Sequence, residues 1–125
     1  MLIDALRGRQ PALDRVRLEL AATSRLATTV ITAFELLSGA RSDRERAKVI
    51  TLLDALDILP LTPAAAEDAA AIRRQLESRG EGIGTADTLI AGICRTAGAI
   101  LMTFNRKHFE RVANLALSQL ERTRA

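Results

Sequence analysis

Apolar side chains recur every three to four positions along much of the chain, which is the spacing of helices that bury one face. Hydroxyl residues, prolines and glycines mark where these helices are expected to begin and end. Thr28 or Thr29, Ser42, Thr62 and Thr85 are the expected caps. The predicted helices cover residues 1–8, 11 or 12 to 22, 29–38, 43–56, 63–79 and, after the Thr85 cap, 86–97, with one helical turn within 107–112.

Short apolar runs between the helices are expected to form strands. They cover residues 25–28, 58–61, 99–103 and 115–117. The run at 99–103 is the most strand-like, and Pro60 places its own run at a sheet edge. Strands that alternate with helices favour an α/β fold with a parallel sheet and helices on both faces. We expect a single domain over residues 1–125.

Composition narrows the function classes. The chain has 125 residues, of which 48% are hydrophobic, so it can bury a core. It has three Phe and neither Trp nor Tyr, so stacking on bases is not an obvious resource. Cys94 is the only cysteine and excludes an internal disulfide. No apolar run approaches the ~20 residues of a membrane helix, and no signal peptide is evident, so we expect a cytoplasmic protein without a membrane partner.

A net charge of +3 leaves two interpretations open. The arginines either lie in solvent or meet a polyanion or an acidic protein. Arg73, Arg74, Arg106 and Arg111 are the candidates for contacts with RNA phosphates.

Glu35 interrupts an otherwise apolar helix. Val30, Phe34 and Leu37 share one face of this helix, whereas Glu35 shares another with hydroxyl residues at positions 28 and 32. A carboxylate flanked by hydroxyls is a candidate metal ligand. Spacing alone also allows a solvated Glu on an amphipathic helix.

Asp87 and Asn105 are the other candidates. Asp87 falls in the first turn of a helix, where an acid either complements the helix dipole or offers oxygen to a hard cation. Asn105 follows the run at 99–103, and ligands of open α/β sheets gather at the carboxyl ends of strands. Asn is also a common turn residue. His108, the only histidine, is expected at the surface or in packing, and Gly80, Gly82 and Gly84 as a flexible loop.

Three segments together resemble one family. TTVITAFELLSGA at residues 28–40, GTADTLIA at 84–91 and LMTFNRKHFERV at 101–112 are similar to motifs of VapC-type toxins, which are PIN-domain ribonucleases. The order and spacing of the segments agree with that family. The resemblance implies a compact α/β fold whose acidic residues bind Mg²⁺ or Mn²⁺ and cleave RNA.

The resemblance also implies roles for individual residues. Glu35 and Asp87 correspond to metal-binding acids, Asn105 to a position that holds an acid or Asn, and Thr103 to a supporting hydroxyl. It implies a VapB-type antitoxin that blocks the site, and a homodimer. At the N-terminus the sequence differs from the family pattern. Leu2-Ile3-Asp4 matches the end of the family's opening motif, so the first strand and its Asp are expected to be missing. Asp4 corresponds to a later Asp that is not a ligand.

Three functions remain open on the sequence. The first is metal-dependent hydrolysis of RNA phosphodiester bonds, because cations bound by carboxylates activate water and neutralise the oxyanion. The second is a catalytically impaired PIN-like protein that only binds an antitoxin or itself, which the absent Asp favours. A plain helical adaptor without a nucleic-acid role is the third and least specific alternative.

Overall fold

A computed structural model of the chain describes residues 27–103 and 105–118. The elements are β1 (Ala27–Thr29), α1 (Val30–Gly39), α2 (Asp43–Asp54), β2 (Asp57–Leu59), α3 (Pro63–Ser78), α4 (Thr85–Ala97) and α5 (Arg106–Phe109). The predictions for two N-terminal helices and for Asp4 fall on residues 1–26, outside the described part, and the absence of the family's first strand stays a prediction. Within the described part, no helix is long and apolar enough to cross a membrane.

Three helices begin at the hydroxyl residues that the sequence predicts. Thr29, Ser42 and Thr62 each accept a hydrogen bond from the backbone N–H three residues later, at 3.0 or 3.1 Å. Such caps satisfy one of the N–H groups that a helix start leaves without an internal partner. Local sequence therefore determines the starts of α1, α2 and α3.

The start of α4 differs from the prediction. Its N-cap is Gly84, and Thr85 is already the first helical residue, without a side-chain cap bond. Gly84 has a φ of +90°, which favours glycine, and the turn that it makes sets the helix one residue earlier than a Thr85 cap would. Ile83, immediately before it, is buried. The end of the glycine-containing loop is therefore anchored in the core.

The strands predicted at 58–61, 99–103 and 115–117 are shorter in the structure, and the start of the one predicted at 25–28 lies outside the described residues. β1 and β2 pair in parallel, with Ala27 opposite Asp57 and Thr29 opposite Leu59. In place of the strand at 99–103, Leu101 alone forms a parallel bridge, with Leu117. Two backbone N–H groups near Leu101 already have other hydrogen-bond acceptors. That of Ala99 donates to a carbonyl at the end of α4, and that of Asn105 donates to a side chain. Parallel pairing and α/β layering are confirmed, but the strand at 99–103 is wrong in length.

Close packing of α3 against α4 forms the centre of the molecule. As the three-to-four-residue spacing of its apolar positions predicts, α3 buries one face, which consists of Ala65, Ala69, Ile72 and Leu76. Opposite them, a Cβ on Gly92 would lie 2.8 Å from the carbonyl oxygen of Ala65 and 2.9 Å from the backbone N of Ala69. The two helices are therefore as close as they are because position 92 has no side chain.

Beside this contact lies the hydrophobic core, which continues to the C-terminal segment. Its buried members are Ile72, Leu76, Ile83, Ile90, Ala91, Cys94, Leu101, Phe109 and Val112. Burial raises the pKa of the Cys94 thiol to about 11.

On α1, the hydroxyl-bearing face is the one that points inward. Thr32 is 1% exposed, and its Oγ1 lies 3.0 Å from that of Thr29. On the apolar face Phe34 is 67% exposed, and Val30 and Leu37 are also exposed. Both faces that the sequence predicts for this helix are therefore present, and the hydroxyl-bearing face packs against the rest of the molecule.

Arg95 connects α4 to α3 and to the C-terminal segment that follows α5. Its guanidinium donates to both carboxylate oxygens of Asp68 on α3, each at 2.8 Å, and to the carbonyl of Ala113 at 2.7 Å. The hydrogen bonds that Arg95 donates to Asp68 raise the pKa of Arg95 further above its already high ordinary value. The bidentate pair joins α4 to α3, and the bond to Ala113 holds the C-terminal segment beside α4.

Candidate active site

Three polar side chains meet near the start of α4. Oδ2 of Asp87 lies 2.9 Å from Nδ1 of His108 and 3.2 Å from Nδ2 of Asn105. The same Nδ2 lies 2.9 Å from Nδ1 of His108. We call these three residues the Asp87 cluster. Two of its members, Asp87 and Asn105, are predicted site residues that the structure brings together.

The fold positions each member of the cluster from a different element. Asp87 lies in the first turn of α4, and Asn105 is the N-cap of α5. The backbone N–H of Asn105 donates to Oγ1 of Thr103, which is 1% exposed, at 2.9 Å. His108 lies on α5 directly before Phe109, which is completely buried. Thr103 thus lies beside Asn105, as the sequence predicts, and contacts its backbone.

The donor and acceptor roles in the Asp87 cluster depend on which ring nitrogen of His108 carries the hydrogen. A carboxylate only accepts hydrogen bonds, so the short contact between Asp87 and His108 requires a hydrogen on Nδ1 of His108. This Nδ1 then cannot accept a bond from Asn105, whose amide N–H therefore donates to Asp87. Oδ2 of Asp87 receives two N–H groups, whereas Oδ1 receives none from residues 27–103 or 105–118.

Glu35 lies on α1, which packs against α4, and its side chain is half-buried. The hydrogen bonds of the Asp87 cluster do not involve it. Within the part of the chain that the structure describes, no three His, Cys, Asp or Glu side chains lie close enough to share one metal ion. The joint metal site of Glu35 and Asp87 therefore stays a prediction.

The oxygen donors at the cluster match a hard cation. Oδ1 of Asp87 has no hydrogen-bond donor among the described residues, and the Asn105 side chain uses its nitrogen rather than its oxygen. Carboxylate and amide oxygens are the ligands that Mg²⁺ takes in proteins. The chemistry of these residues thus fits a divalent cation at Asp87.

The arginines named as candidates for phosphate contacts differ in their surroundings. Arg106, next to Asn105, donates to the carbonyl of Ser118 at 2.6 Å and is half-buried. Arg111 donates to the carbonyl of Glu81 at 3.3 Å. Arg73 is paired with Glu77 on the exposed side of α3. Arg106 is therefore the candidate cation nearest to the cluster in sequence, and its partner is a neutral carbonyl.

His108 is the site residue that sequence reasoning missed. Taken alone, a single histidine indicates neither a metal site nor a catalytic relay. The available signal was its spacing, because His108 follows Asn105 by three residues, and a helical turn such as the one that the structure shows at this point places both side chains on one side.

Comparison with known proteins identifies the fold family. The family profile described as "PIN domain" matches residues 1–115. The chain belongs to the PIN-domain family. Among the relatives of this PIN domain is the tRNA(fMet)-specific endonuclease VapC of Shigella flexneri, 33% identical over 110 residues that cover 85% of this chain and 83% of the relative. The protein of that name from Salmonella typhimurium is 31% identical over 99 residues, which are 76% of this chain and 75% of the relative.

Solved structures agree with the PIN fold. VapBC2 from Rickettsia felis, bound to a DNA fragment from its promoter, superimposes with a TM-score of 0.83 at 28% identity, over 96% of this chain and 93% of that one. DNA-bound VapBC from Salmonella typhimurium gives 0.80 at 30% identity, over 94% and 89%. The expected resemblance to VapC-type PIN toxins is confirmed.

Proposed function

We propose that this PIN domain, a single domain over the whole chain, is the toxin of a type II toxin–antitoxin pair and acts as a metal-dependent endoribonuclease. The observation that carries the proposal is the Asp87 cluster, in which one carboxylate oxygen is held by two N–H donors and the other has no donor among the described residues. The endonuclease relatives supply the reaction class.

Each residue of the site has a definite task in this reaction. Asp87 and Glu35 bind the cation, which is Mg²⁺ or Mn²⁺. When bound, that cation activates a water molecule and neutralises charge on the phosphate being cleaved. Asn105 keeps Asp87 in place through its amide N–H, and Thr103 holds the backbone of Asn105. Arg106 lies close enough in sequence to Asn105 to assist in holding an RNA phosphate.

Substitution of Asp87 tests this function. Asp87→Asn retains the size of the side chain but removes the charge that a hard cation needs, so Mg²⁺-dependent cleavage of RNA should fall by at least about 100-fold. Asp54→Asn is the matched control, because Asp54 is exposed at the end of α2. The measurement is cleavage of a labelled RNA with Mg²⁺ and with EDTA, alongside thermal unfolding.

Two outcomes would contradict the proposal. Undiminished cleavage by Asp87→Asn would remove Asp87 from the metal site. Absence of cleavage by the unmodified chain over a panel of RNAs with either cation would favour the alternative, a PIN-like protein that only binds an antitoxin or itself.

The partners follow from the same comparison. The solved relatives include VapBC complexes, so the partner of this chain is a VapB-type antitoxin that covers the site, and RNA is the substrate. The chain forms a homodimer and works in the cytoplasm, where its RNA is found. Light scattering of the purified chain, alone and co-expressed with the product of the adjacent gene, measures both assemblies. A monomer that captures no such product would contradict this assignment.

A further inference from the structure

We propose that His108 is a positioning residue, whose Nδ1–H fixes Oδ2 of Asp87 so that Oδ1 is the oxygen that binds the cation. The inference rests on the proposed function, since it assigns how one of the metal-binding side chains is oriented. It adds to the site a residue that the family motifs quoted above did not single out.

The first support is that the two carboxylate oxygens of Asp87 differ in their hydrogen bonds. Oδ2 of Asp87 accepts from His108 at 2.9 Å and from Asn105 at 3.2 Å. The two N–H groups occupy the lone-pair directions of Oδ2, which leaves Oδ1 as the oxygen of Asp87 that is open to a cation. Oδ1 accepts from no group in residues 27–103 or 105–118 and stays open. The arrangement therefore selects one oxygen of Asp87 as the ligand.

The second support is that the bond from His108 does not depend on its charge state. Nδ1 carries a hydrogen both in the imidazolium and in the neutral tautomer that Asp87 selects. The contact is also partly shielded, with side-chain exposures of 38% for His108 and 22% for Asp87. Shielding from water strengthens such a bond relative to one on an open surface.

The third support is the way the ring is held. His108 lies on a four-residue helix that begins after Asn105 and ends at Phe109. Phe109 has no exposed surface and belongs to the core. A buried anchor next to His108 limits the movement of the ring, which is what a group that orients a ligand requires. Hydrogen-bonded partners of metal ligands typically contribute about 10–100-fold to metal affinity or activity.

Two substitutions separate orientation from other roles. His108→Phe retains a ring of similar shape but has no donor, whereas His108→Asn places an amide N–H near the position of Nδ1. We expect the Mn²⁺ dissociation constant, measured by calorimetry or electron paramagnetic resonance without RNA, to rise about 10–100-fold in His108→Phe. In His108→Asn it should return to within about threefold of the unmodified chain, because the donor is restored.

Each alternative role gives a different result. If His108 binds the metal directly, Asn will not rescue affinity, and both variants will be equally weak. If its role is only packing, Mn²⁺ affinity will be unchanged while the thermal midpoint falls. Either result would overturn the proposal. Asp87→Asn is measured in parallel: if it retains Mn²⁺ binding, the proposed function fails, whereas loss in Asp87→Asn with none in His108→Phe overturns this inference alone.

Discussion

Replacement of Gly92 by Ala tests the close contact between α3 and α4. The added Cβ would lie 2.8 Å from the carbonyl oxygen of Ala65, 2.8 Å from Cβ of Ala69 and 2.9 Å from the backbone N of Ala69. Two of these three atoms belong to the backbone of α3, so no side-chain rotation relieves the overlap. The helices must move apart along the contact that buries Ile72 and Leu76.

Two opposing effects set the magnitude. Extra carbon in a packed interior costs about 1–3 kcal/mol, whereas Ala in place of Gly inside a helix contributes up to about 1 kcal/mol of stability. Because the backbone atoms of α3 cannot move away without moving the whole helix, the loss of stability from the added carbon should lie at the upper end of that range of about 1–3 kcal/mol. We expect a net loss of about 2 kcal/mol, or a fall in the thermal midpoint of roughly 8 °C for a domain of this size.

Gly39→Ala is the matched control for this experiment. Gly39 is the last residue of α1, and a Cβ there would meet nothing within 4 Å. Its stability should be unchanged or slightly higher. Circular dichroism during heating and in urea measures both variants against the unmodified chain. Equal midpoints for Gly92→Ala and Gly39→Ala would refute the packing argument.

Two further predictions concern the core and the C-terminal segment. Because burial raises the pKa of Cys94 from its ordinary value of 9.0 to about 11, its thiol should not react with an aromatic disulfide reagent at pH 8 until urea is added. Prompt labelling of the native protein would contradict the burial of this thiol. Because the thiol of the unfolded chain ionises at a lower pH than the buried one, the free energy of unfolding should be constant below pH 9 and decline towards pH 11. Arg95→Lys should cost about 1–2 kcal/mol in urea unfolding, because Lys cannot bind both oxygens of Asp68 and the carbonyl of Ala113. Arg73→Lys, which alters an exposed pair, should change stability by less than about 0.5 kcal/mol, and equal effects of the two changes would contradict this account.

Helices could be predicted from the sequence because their signals are local. The inner face of α3 follows from the spacing of its apolar residues, and Thr62 supplies the cap within the same segment. The start of α4 escaped the same reasoning, since a left-handed φ at Gly84 replaces the side-chain cap that Thr85 would provide. A glycine turn of this kind leaves only a weak trace in the sequence.

Strands and contacts between segments were harder to predict, because they depend on partners far along the chain. The run at 99–103 is apolar enough for a strand, but only Leu101 finds a bridge partner, 16 residues away at Leu117. The Asp87 cluster likewise joins residues 18 and 21 positions apart. Motif resemblance brought Asp87 and Asn105 together, whereas the hydrogen bond from His108 depends on how α5 is turned.

The short helix α5 joins the site to the interior within four residues. Two adjacent residues of α5 have different surroundings: His108 contacts Asp87 in the candidate site, whereas Phe109 is completely buried in the core. Inserting or deleting one residue between Thr103 and Phe109 would rotate one of them out of place. Loops after strands usually vary freely in length among related proteins. This connection should instead keep a constant length in any relative that uses the same contacts.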